Sequence, residues 1–239
     1  KDLLTNLSDS LLRIVITLLF TLFLPFDILS QGCCSGSTSN PIVGGTAGVL
    51  QKYQMEFSTT FQSNVSSNYL DGTNPSIGMI YESINSNYLF LRTDYGLTEK
   101  LSLSLSTGYF INKRLLKFGS ENSINTNGLS DLIFLPRYNL FNNSTKLNRT
   151  ELTLGIGVKI PLGSHTDSIL IYSDVWDLKP TTIQLSTGGL DKIFYVFFLK
   201  DYTEKRLKVY TSTMYIHSGF NSLNEKFGNF SSFSLFVAK

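Results

Sequence analysis

Between Tyr88 and Ile111 apolar and polar residues alternate with a period of two. That period turns successive side chains to opposite faces of a strand. Leu101, Leu103, Leu105, Thr107, Tyr109 and Ile111 share one face; Ser102, Ser104, Ser106, Gly108, Phe110 and Asn112 share the other. In the preceding run Leu89, Leu91, Thr93, Tyr95 and Leu97 alternate with Tyr88, Phe90, Arg92, Asp94 and Gly96, and a short turn, Thr98-Glu99-Lys100, joins the two. Each run is longer than the five or six residues of an ordinary soluble strand and reaches the roughly 9–11 that cross a bilayer at a tilt. A greasy face backed by a polar, charged face suits a membrane barrel with a polar interior. It also suits an antiparallel sandwich wetted on one side, so this hairpin alone leaves both architectures open.

The same alternation predicts further strands over Tyr53–Asn64, Leu129–Phe141, Thr150–Pro161, Arg206–Ser218 and Phe227–Lys239. Thr150–Pro161 is the cleanest, with Leu152, Leu154, Ile156, Val158 and Ile160 opposite Glu151, Thr153, Gly155, Gly157 and Lys159. Lys192–Lys200 is apolar on both faces, so its register is not fixed by pattern. Arg114–Asn127 and Leu162–Leu190 read as long loops, the second with a short extra strand over Thr181–Ser186. From the first strand onward the connections run long, short, long, short, long, short. Outer-membrane barrels alternate in this way and a Greek-key sandwich has no reason to. The expectation is therefore an all-β, antiparallel transmembrane β-barrel of at least eight strands over residues 53–239. The final run stops while still alternating, which leaves truncation at the C-terminus open.

Arg13 precedes a short apolar stretch, Ile14–Leu24, followed by Pro25 and Ser30. This reads as a signal peptide over residues 1–30, with a membrane anchor and a lipoprotein leader as the competing readings. Cys33 is the candidate for lipidation. Residues 31–52, rich in Gly, Ser and Thr, are expected to form a flexible segment or a small plug.

Composition narrows the chemistry. A charged fraction of 16% is low for a soluble chain, and a net charge of +2 gives no case for nucleic acid. Two histidines, His165 and His217, and the adjacent Cys33 and Cys34 leave little for a metal centre, so no metal and no cofactor is expected. No G-x-S-x-G elbow or phosphate-binding glycine loop is present, and the chain is not expected to be an enzyme. The polar faces instead gather Glu56, Arg92, Asp94, Asp131, Arg137, Glu151 and Lys159. In a barrel these are the candidates to line the lumen, either bracing it as ion pairs or screening solutes by charge. Eight strands leave an interior that side chains can fill, so strand number bears on whether a channel is open.

Gly128-Leu129-Ser130-Asp131-Leu132, with Arg137-Tyr138-Asn139-Leu140 after it, resembles a strand of the "MetA-pathway of phenol degradation" outer-membrane proteins, which are FadL-like; Ser130 replaces a glycine of that pattern. Gly155-Ile156-Gly157-Val158-Lys159-Ile160-Pro161-Leu162-Gly163, Gln184–Asp191 and Phe227-Gly228-Asn229 are similar to three further stretches of the family, with Ser186 where proline is usual. Gln31-Gly32-Cys33-Cys34-Ser35-Gly36 is similar to the opening of Bacteroidetes-type members. The resemblance implies a Gram-negative outer-membrane barrel, in contact with lipid, that transports small, hydrophobic or aromatic solutes, and more strands than eight. The alternative is a structural or surface-interaction barrel that binds partners through its long external loops.

Overall fold

The computed structural model describes residues 48–67, 70–71, 74–75, 81–117, 123–145, 147–172 and 174–239. The signal peptide, Cys33 and most of the segment 31–52 lie outside the described residues. The strands are β1 (Met55–Ser66), β2 (Leu70–Asp71), β3 (Asn74–Pro75), β4 (Tyr81–Gly96), β5 (Leu101–Lys117), β6 (Ser123–Leu129) and β7 (Leu132–Ser144). They continue with β8 (Asn148–Ile160), β9 (Ser168–Tyr172), β10 (Val175–Leu178), β11 (Asp191–Tyr202), β12 (Leu207–His217) and β13 (Phe230–Ala238).

One antiparallel sheet contains most of them, in the order β1-β4-β5-β7-β8-β11-β12-β13, with β6 also paired to β5. The sheet curls into a half-barrel. Two small hairpins, β2–β3 and β9–β10, stand outside it. Among the described residues no helix is long and apolar enough to cross a membrane, which says nothing about crossing by strands.

Pattern and structure agree on the faces of β4, β7 and β8. In β8, Glu151, Thr153, Gly155, Gly157 and Lys159 are buried while Leu154, Ile156 and Ile160 are exposed. The connections also sort by end. Residues 97–100 and 203–206 make tight turns at one end, where β7 also hands over to β8; at the other end lie the longer connections, from β1 to β4, β5 to β6, β8 to β11 (161–190) and β12 to β13 (218–229).

Two expected loops differ. Arg114–Asn127 is not a loop. β5 continues to Lys117, and β6 returns along it with Leu116 opposite Ser123 and Lys113 opposite Thr126. Lower down, β7 takes over the same edge of β5, from Ser106 opposite Ile133 to Leu101 opposite Tyr138. Backbone pairing suffices here, although the Asn/Ser-rich β6 has little apolar periodicity. Thr181–Ser186 is not a strand either: Thr181–Ile183 is a 3-10 turn, and Ile183 through Ser186 lie buried against the inner face.

The ambiguous strand β11 is settled by its neighbour. Ile193, Tyr195, Phe197 and Leu199 turn inward and are buried, whereas Phe194 and Val196 face out. Tyr195 lies opposite Gly155 and Ile193 opposite Gly157. A Cβ on Gly155 would stand 3.2 Å from that of Tyr195, so β8 is bare where β11 is bulky.

Candidate functional site: the inner polar face

All seven residues singled out by pattern lie on the inner face of the sheet. Six are buried, and Glu56, across β1–β4 from Asp94, is half-buried. The six buried residues fall in three layers.

The middle layer is a fully buried ion triad. Arg92 and Asp94 stand two residues apart on β4 and so share a face. Arg92 Nε is 2.7 Å from Asp94 Oδ2, Arg137 Nη2 is 2.7 Å from Asp94 Oδ1, and all three side chains are 0% exposed. The Ser104 hydroxyl also donates to Asp94 Oδ1. Arg137 sits on β7, with β5 between it and Asp94. The small side chains of Ser102, Ser104 and Ser106 leave the gap that the guanidinium crosses. Tyr195 adjoins Arg137 across Gly155.

The layer toward the tight turns centres on Glu151. Its carboxylate accepts from Arg149 at 2.8 Å and from the Thr153 hydroxyl at 3.2 Å. Here the chain preceding β1 reaches the same face. The Leu50 N–H donates to Ser102 Oγ at 2.7 Å, and Leu50 is buried. A Cβ on Gly48 would collide with the Glu151 carboxylate, and one on Gly96 with the Gln51 carbonyl. Glycine at 96 is thus what lets this segment approach the wall.

The layer toward the long connections has the opposite charge balance. Lys159 Nζ is 2.6 Å from Asp191 Oδ2 and 3.2 Å from Asp131 Oδ2. Asp191 Oδ1 also accepts the Gly219 N–H at 2.9 Å. Asp131, just ahead of β7, has its carboxyl pushed above the ordinary carboxylate range by burial, against the pull of Lys159. Lys159 also reaches Thr187 Oγ1 at 3.4 Å. This layer therefore touches the 181–189 segment as well as the wall.

One inward cation escaped the sequence reading. Alternation through Ile111 places Asn112 inward, yet Asn112 is exposed and Lys113 is 2% exposed. The pairing of β5 shifts register between Phe110 and Lys113, and this bulge switches the faces. The apolar pair Leu115-Leu116 beyond it carried the only hint, because Leu115 resumes the inner row and is fully buried.

No group of three or more His, Cys, Asp or Glu side chains placed to hold a metal occurs among the described residues. His165 Nε2 lies 2.8 Å from Ser222 Oγ and ties the 161–190 connection to the 218–229 one. Scanned against protein-family models, the chain matches none, and no curated protein matches it.

Proposed function

We propose that this chain is an outer-membrane β-barrel that admits small solutes to its polar interior. The observation that carries the reading is an inversion of the usual polarity. Arg92, Asp94 and Arg137 are wholly buried, while the opposite face presents Phe57, Leu105, Ile111, Leu140, Ile156 and Leu235 to the surroundings, Ile156 at 69% exposure. Water disfavours an apolar band of this extent, and hydrocarbon favours it. Hydrocarbon offers no partner to an open edge, so β1 and β13 must be closed in the membrane, by each other or by further strands. The tight turns at one end and long connections at the other fit the periplasmic and external sides of such a barrel. The family resemblance supplies the transport role and the solute class.

Two measurements test this. Ile156→Arg puts a charge on the outer face, and in a bilayer it should cost about 2–4 kcal/mol if the position lies near the midplane. Urea unfolding in phosphatidylcholine vesicles reads the loss. A cost near zero both here and for Leu154→Arg, at another outward-facing position, sinks the membrane reading. Single-channel conductance of the refolded chain then tests the conduit: steady openings that change when Arg92 or Arg137 is neutralised are the expected result.

A second reading, a barrel that binds partners through its long connections, is favoured by the filling of the inner face. The middle ion triad is fully buried, and both Leu50 and the segment Ile183–Ser186 pack inside. A folded barrel without conductance in any variant would select it.

A further inference from the structure

The segment Ile183–Ser186 occupies the inner face as a ligand would. Ile183 packs with Ile84, Leu115 and Ile124. Leu185 packs with Tyr88, Phe90 and Phe110, whose rings crowd together, Tyr88 and Phe110 at 4.5 Å between centroids. Beside this aromatic group the buried Lys113 donates to the Gln184 carbonyl at 2.7 Å and stands 4.8 Å from the centre of the Phe110 ring. A branched apolar group and an acceptor oxygen, one bonded residue apart, thus fill an aromatic niche and cap a cation.

The segment is held by contacts that can be exchanged. The Leu185 and Ser186 N–H groups both donate to the Ser164 carbonyl at 3.1 Å. The Gln184 side-chain amide donates to the Asp167 and Lys179 carbonyls at 3.0 and 3.1 Å. Asn221 donates to the Thr187 carbonyl at 3.2 Å. All of these partners lie in the long connections at one end, and none is a strand of the sheet.

We infer that Gln184-Leu185 is an internal surrogate ligand covering a binding site for a small carboxylate with a branched or aromatic body. On binding, the carboxylate replaces the Gln184 carbonyl at Lys113, and the apolar body replaces the Leu185 side chain among Tyr88, Phe90 and Phe110. An anion suits a buried ammonium better than a neutral carbonyl does, because charge-assisted hydrogen bonds are the stronger ones. The inference deepens the solute-uptake reading by naming a site and a solute class, and it rests on that reading for its role in uptake.

The test uses the full chain refolded in phosphatidylcholine vesicles, with 5-methylhexanoate as probe. Its carboxylate and branched end have the same bonded separation as the Gln184 carbonyl and the Leu185 isobutyl group. Hydrogen exchange of the Leu185 and Ser186 amides reads release of the segment. The carboxylate should accelerate exchange saturably, and 5-methylhexanol should not. Leu185→Ala, which weakens the surrogate, should lower the half-saturating concentration by about tenfold or more. Lys113→Met should abolish the preference for carboxylate over alcohol; Lys113→Arg, which keeps the charge, should retain it. Equal responses to acid and alcohol in the native chain, or none to either, overturn the inference. Conductance is measured separately. Saturable release without conductance removes the conduit and keeps the site, whereas conductance without release does the reverse.

Discussion

The middle charge layer of the inner face and the layer toward the long connections, here the outer layer, contain the same number of groups and differ in what surrounds them. Arg92, Asp94 and Arg137 all belong to long strands, and every contact within the triad joins one part of the wall to another. Asp131, Lys159 and Asp191 sit at strand ends, and Lys159 extends to Thr187 on the inserted segment. The first arrangement has two fixed cations around one carboxylate; the second has two carboxylates around one lysine. A guanidinium cannot shed its charge in a protein, whereas a carboxylate can take a proton. The middle layer is therefore a brace with no escape from its charges, and the outer layer can relax. Asp94→Asn breaks the brace and leaves two buried guanidiniums facing each other. It should cost about 3–5 kcal/mol, read as a fall in the urea midpoint of the vesicle-embedded protein. A loss below about 1 kcal/mol would mean that water reaches the triad.

Much of this architecture was legible because inner and outer faces differ so sharply in chemistry. The alternation of β8 alone places Glu151 and Lys159 on the face opposite Ile156, and the structure keeps that assignment. Three features escaped, each for a physical reason. The bulge after Phe110 reverses parity without any glycine or proline to announce it, and so the alternation points Asn112 inward where the structure has Lys113. β6 is held by backbone pairing to β5, and pairing leaves no trace in side-chain periodicity. The burial of Ile183–Ser186 depends on the apolar clusters of Ile84 and Tyr88, contributed by a strand about a hundred residues away in the chain. The middle triad was legible only as a set of residue types. Which cation meets Asp94 depends on β5 offering serines as the crossing point, and that is visible only when β4, β5 and β7 lie side by side.

The outer layer gives the smaller and more discriminating prediction. Lys159→Met removes the lysine and leaves Asp131 and Asp191 facing each other across the site it occupied. At pH 7 the two like charges should cost about 1–3 kcal/mol. Asp131 starts with its carboxyl already raised by burial, and loss of Lys159 removes the leading charge that opposed that rise. A carboxyl raised in the folded state binds its proton there before it does in the unfolded chain. Its contribution to stability is thus present at low pH and is lost as pH climbs through the folded value. The variant should accordingly recover stability as pH falls from about 7 toward the ordinary carboxylate range, whereas in Asp94→Asn the two guanidiniums keep their charge over the same range and the recovery should be smaller. Unfolding midpoints of both variants across that range separate the layers. Parallel curves would erase the distinction between the two layers. If Lys159→Met also speeds exchange of the Leu185 and Ser186 amides at pH 7 and slows it again at pH 5, the outer layer holds the inserted segment as well as the wall.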